Sequence, residues 1–380
     1  MTLTVSPPRA EVHIDLPAYR RNLNALRERL VGDAQLWAVV KANAYGHDVD
    51  RVAQEAVAAG ARRLCVATLS EARHLRQVGI RVPMLIMGPL DAASIRRAVD
   101  LDVSVAALNI NMIDALIADA AASSSSARVS RVHLKVDTGM GRWGVAVEDA
   151  LDLIVQLDAA PGIEVEGVMT HFATADDTTD TSFFELQLDR FSKLAAAAKE
   201  LVPGLVAHAA NSAATLRSDA SHFDAVRCGV ATYGLDPMQL DAAAHGLEPV
   251  LSMRSYVADV RALAPGESTG YTRSYVASHP VLVAEVPIGY ADGIRRSLAN
   301  RGTVLIRGRV HDIVGNVSMD HVSVLVDADV QVGDVVTLLG RDGDELVTAE
   351  DHARWADTIN YEITCGIAGE PRLLRVHTSS

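Results

Sequence analysis

The chain has 380 residues, which is too long for one ordinary core and suggests a large domain with a smaller companion. A hydrophobic content of 49% with 22% charged residues describes a globular protein and excludes a disordered one. The net charge of −13 disfavours nucleic acid and anionic membrane as partners, because both need a basic face.

Eight short apolar runs recur before position 230: Leu36–Val40, Leu64–Ala67, Met84–Met87, Val103–Ala106, Val132–Val136, Val165–Met169, Leu205–Ala207 and Ala225–Val226. The gaps carry helix-like, Ala-rich amphipathic sequence, as in Val52–Ala59, Glu71–Val78, Ala92–Val99 and Phe183–Leu201. Strands alternating with helices pair in parallel, and eight such units in this length predict a closed (β/α)₈ barrel of the TIM type. From about Leu251 onward the character changes to short β-branched segments: Ser255–Leu263, Val281–Pro287, Gly302–Ile306, Val310–Val314, Val322–Val326 and Asp334–Leu339. These predict a C-terminal all-β domain. Residues 1–246 are therefore read as the barrel and 247–380 as the β domain, with Asp241–Glu248 as linker. Ala121–Ala127 is of low complexity and reads as an exposed loop, and Asp342–Glu345 reads as an acidic turn.

Cys65, Cys228 and Cys365 are odd in number and widely separated, so neither a disulfide framework nor a metal site is expected. The N-terminus lacks a charged start followed by an apolar core, and no apolar run is long enough to span a bilayer. A cytoplasmic protein is expected.

Barrel active sites form at the C-terminal ends of the strands. The unusual polar residues fall there: Lys41 after the first run, Lys135 and Asp137 at the fifth, His171 after the sixth, His208 ending the seventh and Arg227 at the eighth. An amine placed directly after a buried strand loses water and becomes a usable nucleophile or base, which points to Schiff-base chemistry. The plainer alternative is a lysine that snorkels from a strand end. His171 and His208, taken singly, also read as hydrogen-bonded core histidines.

The segment Val39-Val-Lys-Ala-Asn-Ala-Tyr-Gly-His47 resembles the cofactor-lysine signature of alanine racemases, pyridoxal-phosphate enzymes of fold type III. Further matching blocks are Lys135–Arg142, Thr170–Asp176, His208–Ser212, Arg227–Val230, Gly289–Gly293 and Ile359–Ile363, in order and across both domains. The resemblance implies a homodimeric racemase that interconverts L- and D-alanine, with pyridoxal 5'-phosphate on Lys41 and with active sites shared between subunits. It also implies a role in supplying D-alanine for the bacterial cell wall. Lys41 would act on one face of the substrate and Tyr271, from the partner's β domain, on the other. An unassisted tyrosine is a weak base at neutral pH, so positive charge or hydrogen bonds must help it, with His171 as the link.

By the same resemblance, Arg227 would donate to the pyridine nitrogen and leave it unprotonated, since a guanidinium holds its proton far more tightly. A buried salt bridge is the other reading of Arg227. Tyr45, Ser212, Gly229, Val230 and Tyr361 would serve the phosphate, Ser212 at a possible helix start, where a plain N-cap is the alternative. Arg142 and Met319 would meet the substrate carboxylate. Lys135 matches a lysine that is carbamylated in some members and positions this arginine, although an ordinary ion pair with Asp137 also suits it. Tyr271 has the alternative of a packed strand aromatic.

Asp48, Thr272, Asn316 and Ser318 depart from the family pattern, and they put substrate choice in doubt more than reaction type. A racemase of the same fold for serine or another amino acid is the nearest alternative. A decarboxylase would have no need of Tyr271, and a non-catalytic cofactor binder would have no need of Tyr271 or Met319.

Overall fold

The computed structural model describes residues 8–122 and 129–378. In chain order the elements run β1 Glu11–Asp15, α1 Leu16–Glu28, β2 Gln35–Val39, α2 Lys41–Tyr45, α3 Val49–Ala58, β3 Arg63–Val66, α4 Leu69–Gln77, β4 Met84–Ile86, α5 Ala92–Asp100, β5 Ser104–Ala107, α6 Ile110–Ala122, β6 Ser130–Lys135, α7 Ala150–Asp158, β7 Ile163–Met169, α8 Ser182–Leu201, β8 Val206–His208, α9 Ser212–Arg217 and β9 Ala225–Cys228. The β-rich part continues with β10 Leu251–Tyr256, β11 Asp259–Leu263, β12 Ser268–Thr269, β13 Tyr275–Val276, β14 Val281–Val286, β15 Thr303–Ile306, β16 Arg309–Val314, β17 Val322–Val326, β18 Val335–Asp342 and β19 Glu345–Val347. It closes with α10 Ala349–Ala356, α11 Asn360–Cys365 and β20 Leu374–Thr378.

Strands β2 to β9 pair in sequence order as a closed parallel barrel, and β9 returns to β2 with Leu36 opposite Val226 and Trp37 opposite Arg227. All eight predicted apolar runs are barrel strands, because a parallel strand covered on both faces must be apolar almost throughout. β3, β4 and β5 are buried along their whole length. The intervening helices start where a side chain satisfies their first N–H groups. Thr68 and Glu71 form a reciprocal capping box on α4, and Asp91 caps α5.

The second unit is a ten-stranded sheet in the order β11-β14-β17-β16-β15-β18-β10-β1-β20, with β19 on β18. β1 belongs here: Val12 lies opposite Met253 in antiparallel pairing and opposite Arg375 in parallel pairing. The chain thus divides into a unit of Arg20–Thr232 and one made of the N-terminal residues through Tyr19 with those from Tyr233 onward. This division differs from the expected one at 246/247 in grouping the residues through Tyr19 and those from Tyr233 with the β-rich strands. Glu11–Asp15 pairs with strands more than 230 residues away in the chain, and so joins the β-rich unit. The expected linker Asp241–Glu248 lies inside this unit and holds a short turn at Ala242–His245, capped by Asp241.

The single run Ser255–Leu263 is two strands. At Val257 and Ala258 the backbone changes partner, Val257 donating to the Asp334 carbonyl and Ala258 to the Glu285 carbonyl, so β10 pairs with β18 and β11 with β14. Asp342 and Glu345 face each other across the β18–β19 hairpin, as the acidic turn requires. Of the low-complexity segment, residues 123–127 lie outside the described residues. Among the described residues, Cys65, Cys228 and Cys365 form no disulfide. Among the described residues no helix is long and apolar enough to cross a membrane.

Candidate active site

The barrel's C-terminal mouth gathers the polar residues predicted for it. Lys41 follows β2, Lys135 ends β6, His171 follows β7, His208 ends β8, Arg227 sits in β9, and Gly229 and Val230 follow it. Lys41 is half-buried and opens a turn of unusual hand. Ala42, Asn43, Ala44 and Tyr45 have φ of 52°, 53°, 54° and 54°, a left-handed turn built without glycine. Such a backbone costs about 1–2 kcal/mol per residue, so its neighbours must hold it. The Glu71 carboxylate that caps α4 also accepts from the Ala42 N–H at 2.7 Å, and the Asn43 side chain accepts from the Val49 N–H at 2.9 Å. The turn buries Tyr45 beside Gly229, where an added Cβ would stand 2.4 Å from the tyrosine hydroxyl.

Arg227 is 4% exposed and has no carboxylate within ion-pair distance among the described residues, so the salt-bridge reading fails. Its Nη1 donates to His208 Nδ1 at 2.8 Å and to the His208 carbonyl at 3.0 Å. Its Nη2 donates to the carbonyls of Thr170 and Ala209 at 2.8 and 3.1 Å and lies 3.4 Å from His171 Nδ1. The Nε–H has no protein acceptor among the described residues. Burial lowers the Arg227 pKa to about 10, and the guanidinium remains charged at neutral pH. Burial, and then the Arg227 charge, hold His171 and His208 well below the ordinary 6.5, so both imidazoles are neutral.

Lys135 is 4% exposed, and burial followed by the charges of Arg227 and Arg142 lowers its pKa from 10.5 to about 7. The ion pair expected with Asp137 is absent. Asp137 instead accepts from the backbone N–H groups of Gly139 and Gly141, tying down the loop that leads to Arg142. Arg142 is exposed, with its guanidinium 5.5 Å from the Trp143 ring centroid.

Ser212 is not an N-cap. The Asn211 side chain caps α9 by accepting from the Ala214 N–H, and Ser212 Oγ accepts from the N–H groups of Gly229 and Ala231 at 3.0 and 3.3 Å. With both lone pairs engaged, the hydroxyl hydrogen is left to donate.

In the β-rich unit, Tyr271 is 72% exposed and Met319 is 52% exposed. Tyr271 opens a tight turn, Tyr271–Arg273, so the reading as a packed strand aromatic fails. Two residues that depart from the family pattern meet beside it. Asn316 Nδ2 donates to the Tyr271 carbonyl and to Thr272 Oγ1, both at 2.8 Å, and Thr272 holds a φ of 61°. Tyr361 lies in α11 of the same unit, and Ser318 is buried. Glu71, His133 and Glu166 escaped the sequence reading. The only signal for the last two was a charged or titratable residue inside a run otherwise read as buried strand.

Residues 14–237 match the family "Alanine racemase, N-terminal domain" and residues 250–377 match "Alanine racemase, C-terminal domain". The chain belongs to the alanine racemase family. It is 40% identical over 374 residues to alanine racemase of Citrifermentans bemidjiense, covering 96% of this chain and 98% of that one. With alanine racemase 1 of Bacillus subtilis it shares 37% over 365 residues, 95% and 91% of the two chains. Among solved structures, the enzyme from Streptomyces lavendulae, a D-cycloserine producer, superposes with a TM-score of 0.91 at 36% identity over 99% of this chain and 98% of that one. The Bacillus anthracis enzyme with bound L-Ala-P gives 0.87 at 37% identity over 99% and 96%.

Proposed function

We propose that this protein is a pyridoxal-phosphate-dependent racemase interconverting L- and D-alanine, with Lys41 and Tyr271 of the partner subunit working on opposite faces of the substrate's α-carbon. Its membership of the family supports the reaction. The observation that carries the cofactor is Arg227, a buried cation whose Nη hydrogens are all taken by protein acceptors while Nε–H is left over. A neutral pyridine nitrogen is the acceptor that such a donor suits.

The remaining residues fit the same group. Ser212 has a hydroxyl hydrogen to give a phosphate oxygen, Gly229 lacks the Cβ that would crowd Tyr45, and Val230 continues this small-residue cradle. Tyr45 and Tyr361 would add hydroxyl donors. When bound, the cofactor supplies the conjugated ring that makes loss of an α-proton feasible.

Lys41 holds the cofactor and moves the proton on one face, with its position set by the left-handed turn that follows it. Tyr271 moves the proton on the other, and His171, kept neutral, passes the influence of Arg227 toward it. Arg142 and Met319 of the partner subunit bind the substrate carboxylate. Lys135, with a pKa of about 7, holds a substantial neutral fraction near neutral pH, and the neutral amine is the form that carbamylation requires.

The exposure of Tyr271 and Met319 supports a homodimer in which a second copy covers them. Cysteines that form no disulfide among the described residues support a cytoplasmic place, and supply of D-alanine for the cell wall follows from the family's role. The test is α-deuterium exchange and loss of optical rotation in deuterated water with L- and with D-alanine. Tyr271→Phe should lose exchange from one enantiomer far more than from the other. Equal loss from both would overturn the two-base assignment, and no turnover of alanine by the parent enzyme would overturn the function.

A further inference from the structure

The interior of an eight-stranded barrel is ordinarily filled with layers of branched apolar side chains. Here it holds a connected polar column. Glu166 on β7 receives Arg63 of β3 in a bidentate pair, Ser104 Oγ of β5 at 2.5 Å and His133 Nε2 of β6 at 2.9 Å. His133 Nδ1 lies 2.9 Å from His208 Nε2, and His208 Nδ1 lies 2.8 Å from Arg227 Nη1. The column therefore ends on the arginine assigned to the cofactor ring. Buried charge of this kind is seldom a net gain in stability, so it calls for another reason.

Two local features build the column. The pairing of β6 with β7 runs from Val132–Val165 to His133–Gly167 and skips Glu166, a bulge that re-aims one side chain. Gly167 is required next to it, because a Cβ there would sit 2.3 Å from His133 Nδ1.

The hydrogens of the column are determined from its upper end. A guanidinium only donates, so His208 Nδ1 must present a lone pair to Arg227. Neutral His208 then carries its hydrogen on Nε2 and donates it to His133 Nδ1. Neutral His133 carries its own on Nε2 and donates to Glu166. Burial lowers the His133 pKa, the bond to Glu166 opposes this and the charge of Arg63 adds to the lowering, so the ring is neutral. Burial opposes the Glu166 charge, but the bonds from His133 and Arg63 outweigh it and keep the carboxylate ionised. Arg63 Nη1, 2.9 Å from His133 Nε2, spends its hydrogens on Glu166 and on Ser104 Oγ at 3.0 Å. The opposite tautomers would set His208 Nδ1–H against an Arg227 N–H, two donors face to face.

We propose that Glu166 and His133 are positioning residues of the racemase site, which act through His208 to lock its tautomer and so the orientation of the Arg227 donors. This rests on the cofactor reading given above. Without the acceptor at His133 Nδ1, His208 is released to the other tautomer, and Arg227 loses the partner that orients it. The carboxylate three links away is the anchor that gives the column its direction.

The test uses the holoenzyme with ¹⁵N-labelled histidine rings and three variants: His133→Leu, which removes the acceptor, His133→Asn, whose Oδ1 replaces it, and Glu166→Gln. In the parent enzyme the ring shifts should report neutral Nε2–H forms for both His133 and His208. His133→Leu should shift the absorption of the bound cofactor and lower kcat about tenfold or more, the size of one lost charge-assisted hydrogen bond, with KM changed far less. His133→Asn should restore both, and Glu166→Gln, which still accepts through its carbonyl oxygen, should fall between. A His208 Nδ1–H form in the parent enzyme, or a loss in His133→Leu that His133→Asn does not rescue, would overturn the proposal. Should His133→Leu fail to fold, the parent tautomers and the Glu166→Gln spectrum decide the matter. A parent enzyme that binds no cofactor would instead overturn the function and leave the tautomer result standing.

Discussion

Replacing Lys135 by methionine should make the protein more stable, and by an amount that depends on pH. Lys135 is 4% exposed, and its neighbours are the charges of Arg227 and Arg142. Its folded pKa of about 7 lies below the ordinary 10.5 of an unfolded chain. Between those values the unfolded chain binds a proton that the folded chain lacks, so the native state gains stability as pH rises through the window. Below about 7 both states are charged, and the native state carries the full cost of a desolvated ammonium. The fall from 10.5 to about 7, at about 1.4 kcal/mol per pH unit, sets that cost at no more than about 5 kcal/mol.

Lys135→Met removes the cost and keeps most of the volume. Urea unfolding of both proteins at one fixed concentration, in carbon-dioxide-free buffer, should show the variant more stable by several kcal/mol at pH 6.5. The two curves should converge near pH 10. Carbon dioxide must be excluded because a neutral amine reacts with it. A difference that stays constant from pH 6.5 to 10, or a variant less stable at pH 6.5, would refute the account of a buried, cation-flanked amine.

Gly229→Ala should push a Cβ to 2.4 Å from the Tyr45 hydroxyl, cost about 1–3 kcal/mol in thermal stability and reduce the cofactor absorbance retained after gel filtration. Arg227→Lys offers one compact ammonium where four hydrogen bonds diverge, so kcat should fall roughly 30-fold or more, read as initial racemisation rates. Thr272→Gly should raise thermal stability by about 1 kcal/mol by relieving a β-branched residue at φ 61°, provided the lost bond from Asn316 is the smaller term. Asn316→Ala, which leaves that strain and removes two hydrogen bonds, should lower the melting temperature measured by calorimetry.

The local pattern of the chain was enough to determine the barrel and the roster of its mouth. Each buried parallel strand must be apolar by itself, so the runs Leu36–Val40 through Ala225–Val226 could be found one at a time, and Lys41, His171 and Arg227 stood out at their ends. The site's family blocks are likewise contiguous. Tertiary structure decided what depends on partners far along the chain. Glu11–Asp15 is too short and mixed to announce a strand, and it becomes one by pairing with β10 and β20. Asp137 turned to the Gly139 and Gly141 amides and left Lys135 without an anion, and Asn211, not Ser212, took the cap of α9. Arg63, His133 and Glu166 are polar residues in three separate strands, and only closure of the barrel brings them within hydrogen-bond reach of one another. Periodicity records which face of an element is buried; which distant polar groups share that burial is set by register, bulge and closure.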